Sequence, residues 1–423
     1  MNKIGEKSFF GRIDWLTILL WFALCIIGWF NIHAAVFDPE QPGIFNLATN
    51  YGKQSIYIFT ALLIGFSILI IDAKFFISAS PIIYFVVILL LVAVLVVGRN
   101  VGGNQAWIPL GSFRLQPSEF GKLATCLLLA SYLSTQTNKH PNLKTLGIAS
   151  VIILFPVALV MLQPDTGSAL AFFALIFVLY REGYVGNTLL ILGGLAILLF
   201  VMALLINQWI LIGLLLVVAV IFAFILRKKR KHLINIGILF IASSVYVLCV
   251  DFAYEQILQP HQRNRIDIIL GKMDDPRGQG YNLNQSKIAI GSGQLFGKGY
   301  LQGTQTKYNF VPEQSTDFIF CTVGEEWGFV GCVFLISIYL TLLVRLVNLA
   351  ERQRTAFARI YAYGVASILF FHFFINIGMT IGIVPVIGIP LPFISYGGSS
   401  LWSFTILLFI LLRFDSSRKG LNG

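Results

Sequence analysis

Charge is scarce in this sequence. Only 12% of its 423 residues are Asp, Glu, Lys or Arg, while 57% are hydrophobic. A soluble domain carries about a quarter charged residues, so a soluble fold is excluded. Acids are scarcer than bases, 19 against 30, for a formal net charge of +11. That excess would suit nucleic acid, but no polar module gathers it on one face. The basic residues sit instead in short loops between apolar runs, where the positive-inside rule puts them. Metal-binding cysteine patterns are also missing. Cys25, Cys126, Cys249, Cys321 and Cys332 lie in or beside apolar segments, with no CxxC and no zinc spacing, and read as small buried residues. No GK[ST] follows a strand, which excludes a P-loop. The N-terminus lacks the form of a cleaved signal: a polar lead, Met1 to Asp14, precedes an apolar stretch running past Ile27, too long for an h-region.

What is abundant is apolar runs of about 20 residues, each long enough to cross a hydrocarbon core of about 30 Å. They fall at 15–33, 54–71, 79–98, 120–135, 145–162, 167–180, 187–206, 209–226, 234–252, 320–346, 357–381 and 398–413. The expected fold is therefore an all-α polytopic membrane protein of about twelve spans. With the N-terminus inside, alternation puts Lys74, Lys139, Lys144, Arg181, Arg227 to Lys231, Arg352, Arg354, Arg359, Arg413, Arg418 and Lys419 inside as well. Both termini are then cytoplasmic, as the charge rule requires. Four longer segments go outside: Phe37–Lys53, Arg99–Ser118, about 253–317, and Ile383–Gly397. The third is the only long polar segment, and its interspersed Tyr281, Ile288, Ile290, Phe296 and Tyr300 point to an ordered loop.

Polar residues beside apolar spans are functional candidates by default, and four clusters qualify, all on the outer side. In 98–119, Trp107 suits the headgroup level. Glu119 and Lys122 share a helix face, as a structural ion pair or as part of a site. In Gln163-Pro164-Asp165-Thr166-Gly167, Asp165 either caps the next helix or faces a polar cavity. The long loop ends at Asp317, with Glu313 four residues earlier; a helix there would put both carboxylates on one face. Lys287, Lys298, Arg263, Arg265 and Arg277 add cations to that loop. The fourth cluster, Pro385 to Ser400, is rich in proline and glycine, and is either a plain connection or a cavity lining. His372, alone among aromatics, reads as a packed core histidine.

In this order the clusters resemble the SEDS family (shape, elongation, division and sporulation proteins). The resemblance runs from about Asp14 to Arg413. It rests on Asn104-Gln105-Ala106-Trp107-Ile108, Leu115-Gln116-Pro117-Ser118-Glu119, Gln163 to Gly167, and Asp275-Pro276-Arg277-Gly278-Gln279-Gly280-Tyr281-Asn282. Pro312 to Phe320, Gly324-Glu325-Glu326-Trp327-Gly328 and Pro390 to Ser400 complete it. Gln285 to Gly293, Gly297-Lys298-Gly299 and Gly303-Thr304-Gln305 make the rod-shape branch, RodA, the better match.

The resemblance implies a peptidoglycan glycosyltransferase of the bacterial cytoplasmic membrane that polymerises lipid II on the outer face during cell elongation. Its implied partners are the growing glycan chain, a class B penicillin-binding protein transpeptidase and other membrane proteins of the elongation complex. The family's essential aspartate corresponds to Asp317, its loop tryptophan to Trp107, and its paired charges in the fourth span to Glu119 and Lys122. Arg114, Glu313, Lys287, Lys298 and Ser395 complete the expected substrate contacts. No tightly bound cofactor is expected, only a divalent cation, Mg or Mn, accompanying the substrate pyrophosphate, with its ligands unassigned. Two departures stand out. Ser315 occupies a position where the family has histidine, and about twelve spans exceed the family's ten. The pair at 187–226, which carries no motif, is the expected insertion. A precursor transporter and a non-catalytic transpeptidase scaffold remain alternatives.

Overall fold

Hydrocarbon offers the peptide backbone no hydrogen bonds, so segments that cross it must satisfy themselves as helices. The computed structural model describes residues 11, 13–37, 46–101, 104–111, 113–136, 143–227, 230–257, 263–264, 266–267, 270, 272, 280–307 and 310–418. Arg265, Arg277, most of the Asp275–Asn282 motif and the basic residues Lys139, Lys228, Lys229 and Lys419 lie outside them. Two compact units result, Met1–Tyr184 with Tyr281–Gly423, and Val185–Gly280.

The first unit holds α1 (Trp15–Ala35), α2 (Asn50–Ile70), α3 (Ala73–Val97), α4 (Pro117–Ser134), α5 (Leu143–Met161), α6 (Thr166–Phe172) and α7 (Ile176–Arg181). The second holds α8 (Asn187–Leu205), α9 (Gln208–Ile225) and α10 (Arg230–Phe252). The first unit resumes with α11 (Tyr281–Ser292), α12 (Thr304–Lys307), α13 (Ile319–Glu351), α14 (Ala356–Ile381) and α15 (Gly398–Ser417). Among the described residues, ten helices are long and apolar enough to cross a membrane. Two further expected spans are helical but fall outside that set. One is α4, which carries Ser118, Glu119, Lys122 and Thr125; the other is the shorter apolar stretch Thr166–Arg181, which passes through a 3-10 turn. Ten of the twelve expected spans thus meet the length and composition of a crossing helix among the described residues.

The all-α expectation also needs correction. Residues 99–115 form a small antiparallel sheet, β1 (Arg99–Val101), β2 (Asn104–Leu110) and β3 (Phe113–Leu115), in the order β1-β2-β3. Leu110 pairs with Phe113, and Gly111, next to Leu110, takes φ +66°, a conformation glycine adopts without steric cost.

The long element α13 is broken at Gly328 (φ 65°, ψ −163°). The backbone groups freed by the break are met by residues 294–299. Phe329 and Val330 donate N–H to the Gln294 and Leu295 carbonyls at 2.8 and 3.0 Å, and Lys298 and Gly299 donate to the Glu325 and Glu326 carbonyls, each at 3.0 Å. The glycines permit this approach: a Cβ on Gly293 would lie 1.9 Å from the Gly324 oxygen, and one on Gly297 2.1 Å from the Glu326 oxygen. The glycine-rich loop is thus a backbone-to-backbone splint for an interrupted helix.

Where α1 and α14 begin and α7, α13 and α15 finish, the unit is tied by ion pairs. Asp14 meets Arg345, Arg352 meets Asp415 through Nε at 2.7 Å, and Arg359 meets Glu182 at 2.8 Å. Burial alone would raise the Asp14 carboxyl, but hydrogen bonds from Arg345 and Thr17 outweigh it and hold it below its usual range. In the second unit, Asn207 breaks the apolar run and caps α9, accepting from the Trp209 N–H at 3.0 Å. Ala203, Leu204, Leu211, Val247 and Val250 form that unit's core.

Gly297→Ala must combine a disfavoured positive φ with a backbone clash. The expected cost is at least about 1–3 kcal/mol, read as a lower thermal midpoint in detergent; an unchanged midpoint would remove the splint from this account.

Candidate active site

The motif clusters meet at the opposite end of the first unit, where α4, α6, α13 and α15 begin and α14 ends. The Gln105 N–H donates to the Gln163 carbonyl at 3.2 Å, tying the sheet to the second cluster. Gln116 Nε2 donates to Asp165 Oδ2 at 3.1 Å, while Asp165 Oδ1 accepts from the Ser168 N–H at 3.0 Å. Asp165 is therefore a helix cap that also holds the start of α4. The Ser399 hydroxyl accepts from the Gln116 N–H and donates to the Arg114 carbonyl, both at 3.1 Å. Gly167 abuts the segment before α15: a Cβ there would sit 2.7 Å from the Ile387 oxygen.

Asp317 lies in a series of turns, residues 312–318, that leads into α13. Its peptide and the two before it are gripped from one side. The Tyr396 N–H donates to the Ser315 carbonyl at 2.9 Å. The Ser395 hydroxyl donates to the Thr316 carbonyl at 2.6 Å, and Asn376 Nδ2 donates to the Asp317 carbonyl at 2.8 Å. The same Nδ2 donates to the Ile389 carbonyl at 2.7 Å. The Asp317 carboxylate rests against Gly388, where a Cβ would come within 3.1 Å of Oδ2 and where φ is +72°. Phe318, not Asp317, occupies the N-cap position of α13, and no side chain caps the helix there. Asp317 is partly accessible.

Behind this surface is a buried charged triad. Lys122 Nζ donates to both Glu119 oxygens at 2.9 and 2.8 Å and lies 2.9 Å from His372 Nε2. All three side chains are at most 1% exposed. His372 Nδ1 is 3.1 Å from the Pro390 carbonyl. A neutral imidazole that donates there from Nδ1 can accept from the ammonium at Nε2. The ammonium also stands 4.9 Å from the Phe404 ring centroid. A buried charge needs such partners, because losing its hydration is expensive. The triad reaches the segment beside Asp317 through Pro390.

The sequence matches the profile of the cell cycle protein family that spans FtsW, RodA and SpoVE, over residues 14–213 and 210–420. This chain belongs to that family. It is 33% identical over 430 residues to the peptidoglycan glycosyltransferase RodA of Treponema pallidum, covering 95% of this chain and 97% of that protein. It is 36% identical over 344 residues to the peptidoglycan glycosyltransferase MrdB of Escherichia coli, covering 81% and 79%. In three dimensions it resembles a chain of a peptidoglycan synthase complex that coordinates polymerization and crosslinking, with TM-score 0.69, 28% identity, and coverage of 96% and 98%. It also resembles the rod shape determining protein RodA of Thermus thermophilus, with TM-score 0.62, 25% identity, and coverage of 96% and 97%.

The residues singled out by the SEDS motifs are thus distributed unevenly around Asp317. Ser395 is beside it but gives its hydroxyl to the Thr316 carbonyl and accepts from the Leu391 N–H at 2.8 Å. Glu313 is exposed and takes φ +56°; its carboxylate accepts the Thr316 hydroxyl at 2.9 Å. The stretch from 313 to 317 is not a helix, so the shared helical face expected for the two carboxylates does not exist. Lys298 is committed to Glu325 at 2.7 Å and to the Thr304 hydroxyl at 2.8 Å. Glu325 further accepts from the N–H groups of Thr304, Gln305 and Thr306, so this pair fastens the loop to α13. Lys287 is exposed and lies at the end of α14: a Cβ on Gly382 would be 2.7 Å from its Nζ.

Trp107 is half-buried in β2 opposite Arg99, and Arg114 is exposed on β3. Burial and the neighbouring Tyr57 push the Tyr396 phenol up, and Arg114 offsets this in part. Arg263 stacks on the Tyr254 ring in the second unit. Ser315 is buried and accepts from Asn50 Nδ2 at 3.4 Å. Asn376 and the partnership of His372 went unread in the sequence. The available signal was their i, i+4 spacing as polar residues on an otherwise apolar helix.

Lys122→Met leaves Glu119 buried without its cation and should destabilise the protein by about 3–5 kcal/mol. Adding Glu119→Gln should restore part of the lost thermal midpoint in detergent. If the single variant melts like the parent, the pair contributes nothing to stability.

Proposed function

We propose that this protein is a peptidoglycan glycosyltransferase that polymerises lipid II into glycan strands at the outer face of the bacterial cytoplasmic membrane. The observation that carries this reading is that four SEDS motif segments, 104–108, 115–119, 163–167 and 390–400, are tied to one another at the end of the first unit where Ser395 and Tyr396 grip the peptides before Asp317. The glycosyltransferase names of the relatives support it, and the basic loops support an orientation with both termini in the cytoplasm. In this reading residues 187–226 are an insertion into the ten-helix family plan, and 253–317 is extracytoplasmic. The resemblance to a synthase-complex chain supports work beside a class B penicillin-binding protein transpeptidase within an elongation complex.

The chemistry assigned to Asp317 is general base catalysis. Its carboxylate takes the proton from the acceptor sugar's 4-hydroxyl as that oxygen bonds to the donor's anomeric carbon. The bond from that carbon to the lipid pyrophosphate breaks, and the electron pair leaves with the pyrophosphate. A single displacement turns the α-linked donor into a β-linkage. The leaving group is weakly basic and needs charge neutralisation more than protonation, so one carboxylate suffices where a retaining glycosidase needs two. Among the described residues no three or more His, Cys, Asp or Glu side chains group as ligands for an ion, and Glu313 is engaged by Thr316. These donors do not fit a resident metal. Mg or Mn would arrive with the substrate's own pyrophosphate, and the protein's share of neutralisation falls to cations such as Lys287 and Arg114.

Polymerisation of purified lipid II in liposomes, with and without the cognate transpeptidase, tests this reading. Asp317→Asn should lower the rate by about 10²–10⁴-fold, the usual worth of a placed base, at unchanged protein level and membrane insertion. Near-normal polymer from Asp317→Asn would end the catalytic assignment. No polymer from the parent, even with its partner, would favour the scaffold or transporter.

A further inference from the structure

We infer that Asn376 is a positioning residue for Asp317, acting by fastening the aspartate's own peptide to the segment that walls its carboxylate. This rests on Asp317 being the general base.

Asn376 is fully buried, on the last two turns of α14. Its single NH₂ group donates to two carbonyls from different parts of the chain, Asp317 at 2.8 Å and Ile389 at 2.7 Å. An amide nitrogen has two hydrogens, so both are used. The orientation follows from the network, since the reversed amide would aim its oxygen at two carbonyl oxygens. Asn376 Oδ1 has no hydrogen-bond partner among the described residues, so the side chain's contribution lies in those two donations.

The Ile389 carbonyl belongs to the residue after Gly388, and Gly388 is the wall against which the Asp317 carboxylate rests. One side chain therefore sets both the backbone that carries the carboxylate and the surface that limits where it points. The neighbouring grips on Ser315 and Thr316 come from Tyr396 and Ser395 of the same segment. Asn376 differs from them in coming from a membrane helix, and so it anchors aspartate and wall to the bundle. The triad joins the same helix face through His372, four residues earlier, whose Nδ1 meets the Pro390 carbonyl. A base must hold its proton-accepting oxygen within hydrogen-bond reach of the attacking hydroxyl, and a 1 Å misplacement can cost about 10²-fold in rate.

The test is lipid II polymerisation by the full-length protein with its transpeptidase, comparing the parent with Asn376→Asp, Asn376→Ala and Asp317→Asn. Asn376→Asp keeps the volume but, as a buried neutral acid, has a single O–H and cannot serve both carbonyls, which separates hydrogen bonding from packing. Both Asn376 variants should lose about 10- to 100-fold in kcat, with KM held within about twofold, because the contact orients the base rather than binding substrate. The acid limb of the kcat/KM profile, which reports the free enzyme's base, should move in whichever variant retains measurable turnover. Thermal midpoints are measured alongside. Parent-like kcat in Asn376→Ala overturns the inference. So does a loss that tracks the fall in folded protein while the acid limb stays in place. Near-parent activity of Asp317→Asn instead sinks the reading of Asp317 as base, and the inference with it, whatever the Asn376 variants do.

Discussion

Irregular backbone at membrane depth must find its hydrogen bonds within the protein, because hydrocarbon supplies none. Three of the described stretches that are irregular where helices end or break are the turn at Gly328, residues 312–318, and residues 383–397. Each is satisfied by another segment of the first unit. Residues 294–299 serve the break at Gly328. Residues 395 and 396 and the Asn376 side chain serve the peptides from Ser315 to Asp317. The site is the place where these repairs coincide. An accessible carboxylate on non-helical backbone requires the surroundings to supply what a helix would have supplied.

The same constraint explains how charge is spent. At the end away from the site, Asp14, Arg345, Arg352 and Asp415 neutralise one another, with Arg359 and Glu182 beside them. At the site end Glu325 is wrapped by Lys298 and three peptide N–H groups. The deeper triad of Glu119, Lys122 and His372 is closed on itself and on the Pro390 carbonyl. Fully satisfied polar networks rigidify the structure around them. Lys122 and Lys298 thus act in holding α4, α13, α14 and the outer segments in register.

Much of this was legible beforehand. The helices follow from apolar run length, and the break at Asn207 from a polar side chain with a free cap position. Asp165 was readable as a cap because aspartate before an apolar run is a standard helix start. The sheet at 99–115 was less visible: its strands are three, seven and three residues long, too short for alternation to speak. The glycines of 291–303 could not be assigned from sequence, since a glycine that admits a ligand and one that admits another backbone look alike. Glu313 misled through its spacing. Four residues place two carboxylates together only on a helix, and the positive φ of Glu313 takes the chain out of one. His372 was correctly read as buried, but its partner 250 residues away is invisible to any local pattern.

The position of Asp317 unites the physical and chemical arguments. Were it within α13, its backbone would be fixed by the helix and its carboxylate would point along the helix surface. Just outside, the peptide is free to be aimed, and the aiming is done by three donors that all belong to α14 or to the segment following it. That segment is pinned in turn by Gly167, by Ser399 on the Arg114 carbonyl, and by His372. A shift of α4, α6 or α14 would therefore move Gly388 and the Asp317 carboxylate together and preserve their mutual geometry.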